Sequence, residues 1–229
     1  MAEDWEVLFT RAVKLLEQGG VAKKAWTFGG GTVLAQKYNH RASKDIDIFF
    51  RNPQLLNFIS PRVNDTLETS LTNYAEQAHH TRLYFQEGEI DFIVSQQISA
   101  MNPSFIKIAD DYAYVEHPVE IIAKKIQYRA EDFTPRDVFD LAIVFASQKN
   151  CMLQNVGAFA EKLPVLARRL EELQAGQLEE RLSQLTILPG GEKIRGHELT
   201  VCREFVQSVQ KELGKGHFQR KGLAKGLGL

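Results

Sequence analysis

The sequence predicts an α/β (α+β) fold, a mixed sheet with flanking helices, followed by a C-terminal helical bundle. Three observations predict it. Short apolar runs separated by Gly, Pro and Asn fill the first half and end near His117-Pro118. Beyond Pro118 only helical periodicity remains. Asp45 and Asp47 alternate with Ile46 and Ile48, which sets two carboxylates on one face of a buried strand. A chain of 229 residues suits one large domain or two small ones. The boundaries read as 1–117 for an α/β domain, 118–213 for a helical domain and 214–229 for a flexible basic tail rich in Gly and Lys.

Taken in order, residues 4–18 carry Trp5, Leu8, Phe9, Ala12, Val13, Leu15 and Leu16 at helical spacing, and Gly19-Gly20 stops the helix. Residues 25–28 run into the glycines as a short strand, and Val33, Leu34 and Tyr38 continue as a helix. Residues 45–50 form the next strand, broken by Asn52-Pro53. Residues 55–74 read as mostly helical with an interruption near Pro61. Residues 81–86 and 89–94 read as antiparallel strands joined at Glu87-Gly88. Residues 112–115 suggest one more short strand. Helices then follow over 119–129, 135–148, 155–173, 178–188 and 199–213.

Composition narrows the class. Hydrophobic content of 44% and charged content of 25% are those of a soluble globular protein. A net charge of -1 provides no global positive field for nucleic acid. The acidic N-terminus is not a secretory signal, and no run approaches the roughly 18 apolar residues of a membrane span. Cys151 and Cys202 lack ligand-like spacing and read as buried thiols. The expectation is a cytoplasmic enzyme or binding protein.

Four features carry chemistry. Gly29-Gly30-Gly31-Thr32 turns between a strand and a helix, where a bare backbone and helix N-terminal amides suit a phosphate. Asp45 and Asp47 repel each other unless a cation lies between them, and magnesium takes one or two carboxylates plus substrate phosphates. Asp91 sits on a second strand, as a further metal ligand or as general base toward a hydroxyl, with Glu89 its rival on the same face. Lys125 and Arg129 share a helix face that can hold a triphosphate, ahead of Arg136-Asp137 and Asp140.

These residues resemble a known family. Gly30-Gly31-Thr32-Val33-Leu34, with Arg41-Ala42-Ser43-Lys44-Asp45-Ile46-Asp47, looks like the GGTxL…RxSxDxD signature of AbiEii/AbiGii-type nucleotidyltransferase toxins. Asp91, Lys125 and the run from Arg136 to Leu141 match its later motifs in order. The resemblance implies a DNA-polymerase-β-like nucleotidyltransferase fold. It implies transfer of a nucleoside monophosphate from a nucleoside triphosphate with one or two magnesium ions. It also implies a place in a bacterial toxin–antitoxin or phage-defence system, with a tRNA 3′ end or other RNA as acceptor and an antitoxin as partner. By position, Asp45 and Asp47 would bind metal, joined by Asp91. Gly30, Gly31, Thr32 and Ser43 would contact the triphosphate, with Lys125 on phosphate; Arg129 joins it only through the shared helix face. The role of the RDxxDL element falls on Asp137 or Asp140, with Asp137 favoured. The doubly basic Lys124-Lys125 leaves that register open by one residue.

Other classes fit the same residues: a nucleotide-binding regulator without turnover, a toxin acting through protein contact, and a nucleotidyltransferase acting on protein or a small molecule. His79-His80 read as surface residues, and Trp5, Phe9 and Trp26 as core. Residues 211–225 read as a solvated tail. Lys162, Arg168 and Arg169 are candidates for an RNA path.

Overall fold

Apolar alternation along the central strands decides how the sheet is covered. The structure, a computed structural model, describes residues 4–63, 71–175 and 178–226. Helix α1 spans Asp4–Gln18 and buries Trp5, Leu8, Phe9, Ala12 and Leu16 along one stripe. Strand β1 (Trp26–Gly29) leads directly into α2 (Gly30–Tyr38), which ends at Asn39 in the left-handed region, a conformation Asn tolerates at a helix end. The following strands are β2 (Ile46–Phe50), β3 (Asn73–Gln77), β4 (His80–Tyr84), β5 (Glu89–Val94), β6 (Ser104–Ile108) and β7 (Asp111–Val115). They form one seven-stranded sheet in the order β3-β4-β5-β2-β1-β7-β6.

The sheet is mixed. β2 pairs parallel with β5, β1 pairs parallel with β7, and the remaining neighbours are antiparallel. Paired residues share a face. Phe28, Ile48, Phe92 and Thr81 are therefore on one face, with Trp26, Ile46, Phe50, Ile90 and Leu83, and all are buried. Helices α1 and α2 pack against β1, β2 and β5. The opposite face carries Gly29, Asp47, Asp91 and Arg82 in one row across four strands.

The helical half contains α3 (Pro118–Arg129), α4 (Pro135–Gln154), α5 (Leu163–Ala175), α6 (Leu178–Ser183) and α7 (Glu198–Gly226). Helix α4 opens on a capping box: the Thr134 and Asp137 side chains each bond the other's main-chain N–H. It kinks at Gln148, whose φ of -135° and ψ of 34° are not helical. Phe205 on α7 meets Phe145 and Phe159 edge-on at 5.4 and 5.2 Å. Cys202 is buried there as a free thiol and donates to Val138 O at 3.3 Å. Two compact units make up the chain: Met1–Gln97 with Met101–Ile121, and Ile98–Ala100 with Ile122–Leu229. The division falls inside α3, a few residues beyond the 117 border read from sequence.

Several elements differ from the sequence reading. The helix expected over 55–74 is replaced at its start by 3-10 turns at Pro53–Phe58 and Pro61–Val63, and at its end by β3, which begins at Asn73. Two prolines and short runs keep the α-helix from forming there; residues 64–70 of that expectation lie outside the described residues. Strand β3 is a polar edge and β6 an exposed one, so neither shows the buried alternation that betrays a strand. Helix α7 continues past Gly214 to Gly226, through the segment read as a tail.

Candidate active site

The site face of the first unit is built around a glycine with positive φ. Gly30 has φ +73°, and an added Cβ would lie 1.8 Å from Asp47 Oδ2. The Asp47 carboxylate therefore rests on the bare Cα at the start of α2. The pairing Gly29↔Asp47 between β1 and β2 puts it there. No side chain caps α2 at Gly29, and helix N-terminal amides attract anions. Gly31 gives similar room to Arg41, whose Nη2 lies 2.6 Å from where a Cβ would stand.

Thr32 and Ser43 tie this turn to the segment before β2. The buried Thr32 hydroxyl donates to Asp45 O at 2.6 Å and lies 3.0 Å from Ser43 Oγ. Strand β2 starts at Ile46, so Asp45 stands one residue outside it. Its Oδ1 accepts from Glu89 N at 3.3 Å.

Asp91 is the register partner of Asp47 on β5, so the two carboxylates are neighbours on one face. Both of its oxygens are engaged. Arg82 donates from Nε to Oδ1 at 2.7 Å and from Nη2 to Oδ2 at 2.9 Å, a bidentate fork. His80 Nε2 lies 2.7 Å from Oδ1, and Arg82 Nη1 reaches Glu89 at 3.2 Å. Burial pushes the Asp91 carboxyl upward, but the hydrogen bonds from His80 and Arg82 and their charge outweigh it and hold it below its ordinary value. Arg82 is pushed up in turn by its bond to Asp91. A carboxylate so depressed is a weak proton acceptor.

His80 is thus a correction to the surface reading of His79-His80. It is half-buried against Asp91, eleven positions away in sequence, because β4 and β5 pair antiparallel. Arg82 and Glu116 escaped sequence reasoning altogether. Glu116 is buried just beyond β7; its Oε1 accepts from Thr27 at 2.8 Å, and its Oε2 would lie 2.6 Å from a Cβ on Gly29. Only the strand register exposes either contact. Arg82 sits two residues after His80 on one face, the sole local hint.

Lys125, Asp137 and Asp140 belong to the second unit and form a buried ionic cluster. Lys125 Nζ stands 2.5 Å from Asp137 Oδ1 and 3.1 Å from Asp140 Oδ2. Of the two lysines, Lys125 carries these contacts. The open choice between Asp137 and Asp140 has a physical origin: three apart on α4, both face one ammonium. Burial raises the Asp137 carboxyl, yet the Lys125 and Arg129 charges prevail and keep it below its ordinary value. Arg129 is half exposed, with Nη2 3.7 Å from Asp137.

Among the described residues, no three acidic, His or Cys side chains come together as a metal-ligand set. Asp47, against Gly30, and Asp45, which accepts from Glu89 N, each offer hard oxygen donors. That donor set does not cage an ion but suits magnesium held jointly with substrate phosphates. No described helix is long and apolar enough to cross a membrane.

The family model described as nucleotidyl transferase AbiEii toxin, Type IV TA system, matches residues 15–187. Among solved structures, JHP933 from Helicobacter pylori is 14% identical, over 98% of this chain and 99% of its own, with a TM-score of 0.48. MenT4, a nucleotidyltransferase toxin from Mycobacterium tuberculosis H37Rv, is 16% identical over 91% of this chain and 81% of its own, with a TM-score of 0.44. The antibiotic-resistance factor ANT(2'')-Ia is 14% identical over 75% of this chain and 97% of its own, with a TM-score of 0.43. No curated protein matches the chain.

Proposed function

The chain belongs to the AbiEii nucleotidyltransferase toxin family, and from that premise we propose that it transfers a nucleoside monophosphate from a nucleoside triphosphate to an acceptor hydroxyl. The observation that carries this reading is the Asp47 carboxylate resting on Gly30, at the amide-rich start of α2. Anion-binding amides and a cation-binding carboxylate then address the same triphosphate.

Asp45 and Asp47 would hold magnesium, which when bound supplies positive charge at the α-phosphate and the leaving pyrophosphate. The amides of Gly30 and Gly31 orient the phosphates, helped by the first-turn dipole. Thr32 and Ser43 keep that turn fixed to the loop that ends in Asp45. Asp91 completes the acidic row beside Asp47. By resemblance Lys125 would contact nucleotide phosphate and Asp137 would join the same machinery, with Arg129 on the helix face of Lys125. Positioning and charge neutralisation supply most of the acceleration in such transfers. The acceptor in this proposal is an RNA 3′ end, with tRNA the first candidate, and the biological role is that of a toxin restrained by an antitoxin.

The test incubates the protein with each α-labelled nucleoside triphosphate, magnesium and total bacterial RNA. Label should enter RNA with the wild-type chain and not with an Asp45→Ala/Asp47→Ala double variant. Undiminished transfer by the double variant would refute the assignment.

A further inference from the structure

We propose that the centre takes one divalent ion, held by Asp45 and Asp47, and that the Arg82 guanidinium stands at Asp91 where a second ion would otherwise bind. The inference rests on the nucleotidyl-transfer reading above.

The acceptor capacity of Asp91 is nearly filled. A carboxylate offers about four lone-pair positions on its two oxygens. Three are taken at Asp91: two on Oδ1, by Arg82 Nε and His80 Nε2, and one on Oδ2, by Arg82 Nη2. Arg82 and Asp91 are register partners, so the fork is imposed by the β4–β5 pairing. Asp91 is only 8% exposed, which leaves little water to screen a second cation from the guanidinium. Arginine keeps its charge throughout the accessible pH range.

With both Asp91 oxygens bonded from β4, no three-residue ligand set forms among the described residues. Arg82 is then a positioning residue, holding Asp91 ionised and fixed beside Asp47, with His80 as its second tether.

Counting ions tests this. The full chain is titrated with Mn2+, and free Mn2+ is read by its EPR signal, with and without the α,β-methylene analogues of ATP, CTP, GTP and UTP. The wild-type chain should hold one ion per chain in the ternary complex, and Asp91→Asn should leave that count unchanged. Arg82→Lys should also keep one, because the charge is retained, while Arg82→Gln should gain a second. Two ions in the wild type would overturn the proposal, whether or not Asp91→Asn loses one. So would a folded Arg82→Gln variant that still holds one ion. If Arg82→Gln does not fold, as judged by circular dichroism, the wild-type and Asp91→Asn counts decide alone. Failure of the underlying reading looks different: in that case an Asp45→Asn/Asp47→Asn variant retains the wild-type count.

Discussion

Alanine at position 30 would place a methyl carbon 1.8 Å from Asp47 Oδ2, where real contacts are not found below 3.0 Å. The carboxylate must therefore retreat by about 1.2 Å, or the turn must open by as much. The φ of +73° adds a second cost, because an L side chain in the left-handed region loses about 1–2 kcal/mol. The two costs act on different observables. Backbone strain lowers folding stability by that amount, read as a shift in urea midpoint. Displacement of Asp47 acts on chemistry, where a misplacement of about 1 Å costs on the order of 10²-fold in rate. Gly30→Ala should thus fold, destabilised by about 1–2 kcal/mol, and transfer label roughly 10²-fold more slowly. Its affinity for Mn2+ should fall in parallel. Wild-type transfer and wild-type Mn2+ affinity in a folded Gly30→Ala variant would refute the reasoning, because Asp47 would then have no need of its place on the turn.

Two further outcomes follow from buried charge. Lys125→Met leaves Asp137 and Asp140 without the buried cation they share, and should cost about 3–5 kcal/mol in urea unfolding; adding Asp137→Asn and Asp140→Asn should recover much of the loss, and no recovery would mean that Lys125 stabilises by packing instead. The carboxyls of Asp91 and Asp137 both lie below their ordinary value of 3.8. Each therefore contributes stability that is complete above that value and disappears as pH falls below it through the folded-state pKa. Urea midpoints should decline steeply in that acid range, less steeply in Asp91→Asn, and an equal slope in the variant would exclude Asp91 as a source.

The local parts of the site were legible because each rests on local periodicity or backbone chemistry. Alternation put Asp47 on the polar face of β2 because Ile46, Ile48 and Phe50 had to be buried. The glycine run marked a turn no side chain could make, and Gly30 makes it with a positive φ. Spacing of three placed Asp137 and Asp140 near one partner on α4. The edge strands β3 and β6 stayed hidden because edge residues bury too little to alternate. Their hydrogen bonds come from a neighbour in space rather than from any pattern in the chain.

The sequence by itself determined the α/β-then-helical organisation, the family and the glycine turn, all set by nearest-neighbour periodicity and short motifs. Tertiary structure alone decided what each charge touches. Asp91 faces Arg82 and His80 because β4 and β5 pair in one particular register, and a slip of one residue would turn those side chains to the opposite face. Lys125 is bound by two aspartates because two helices bring them to one buried point. Register and packing are collective properties of strands and helices distant in sequence, so no single segment encodes them.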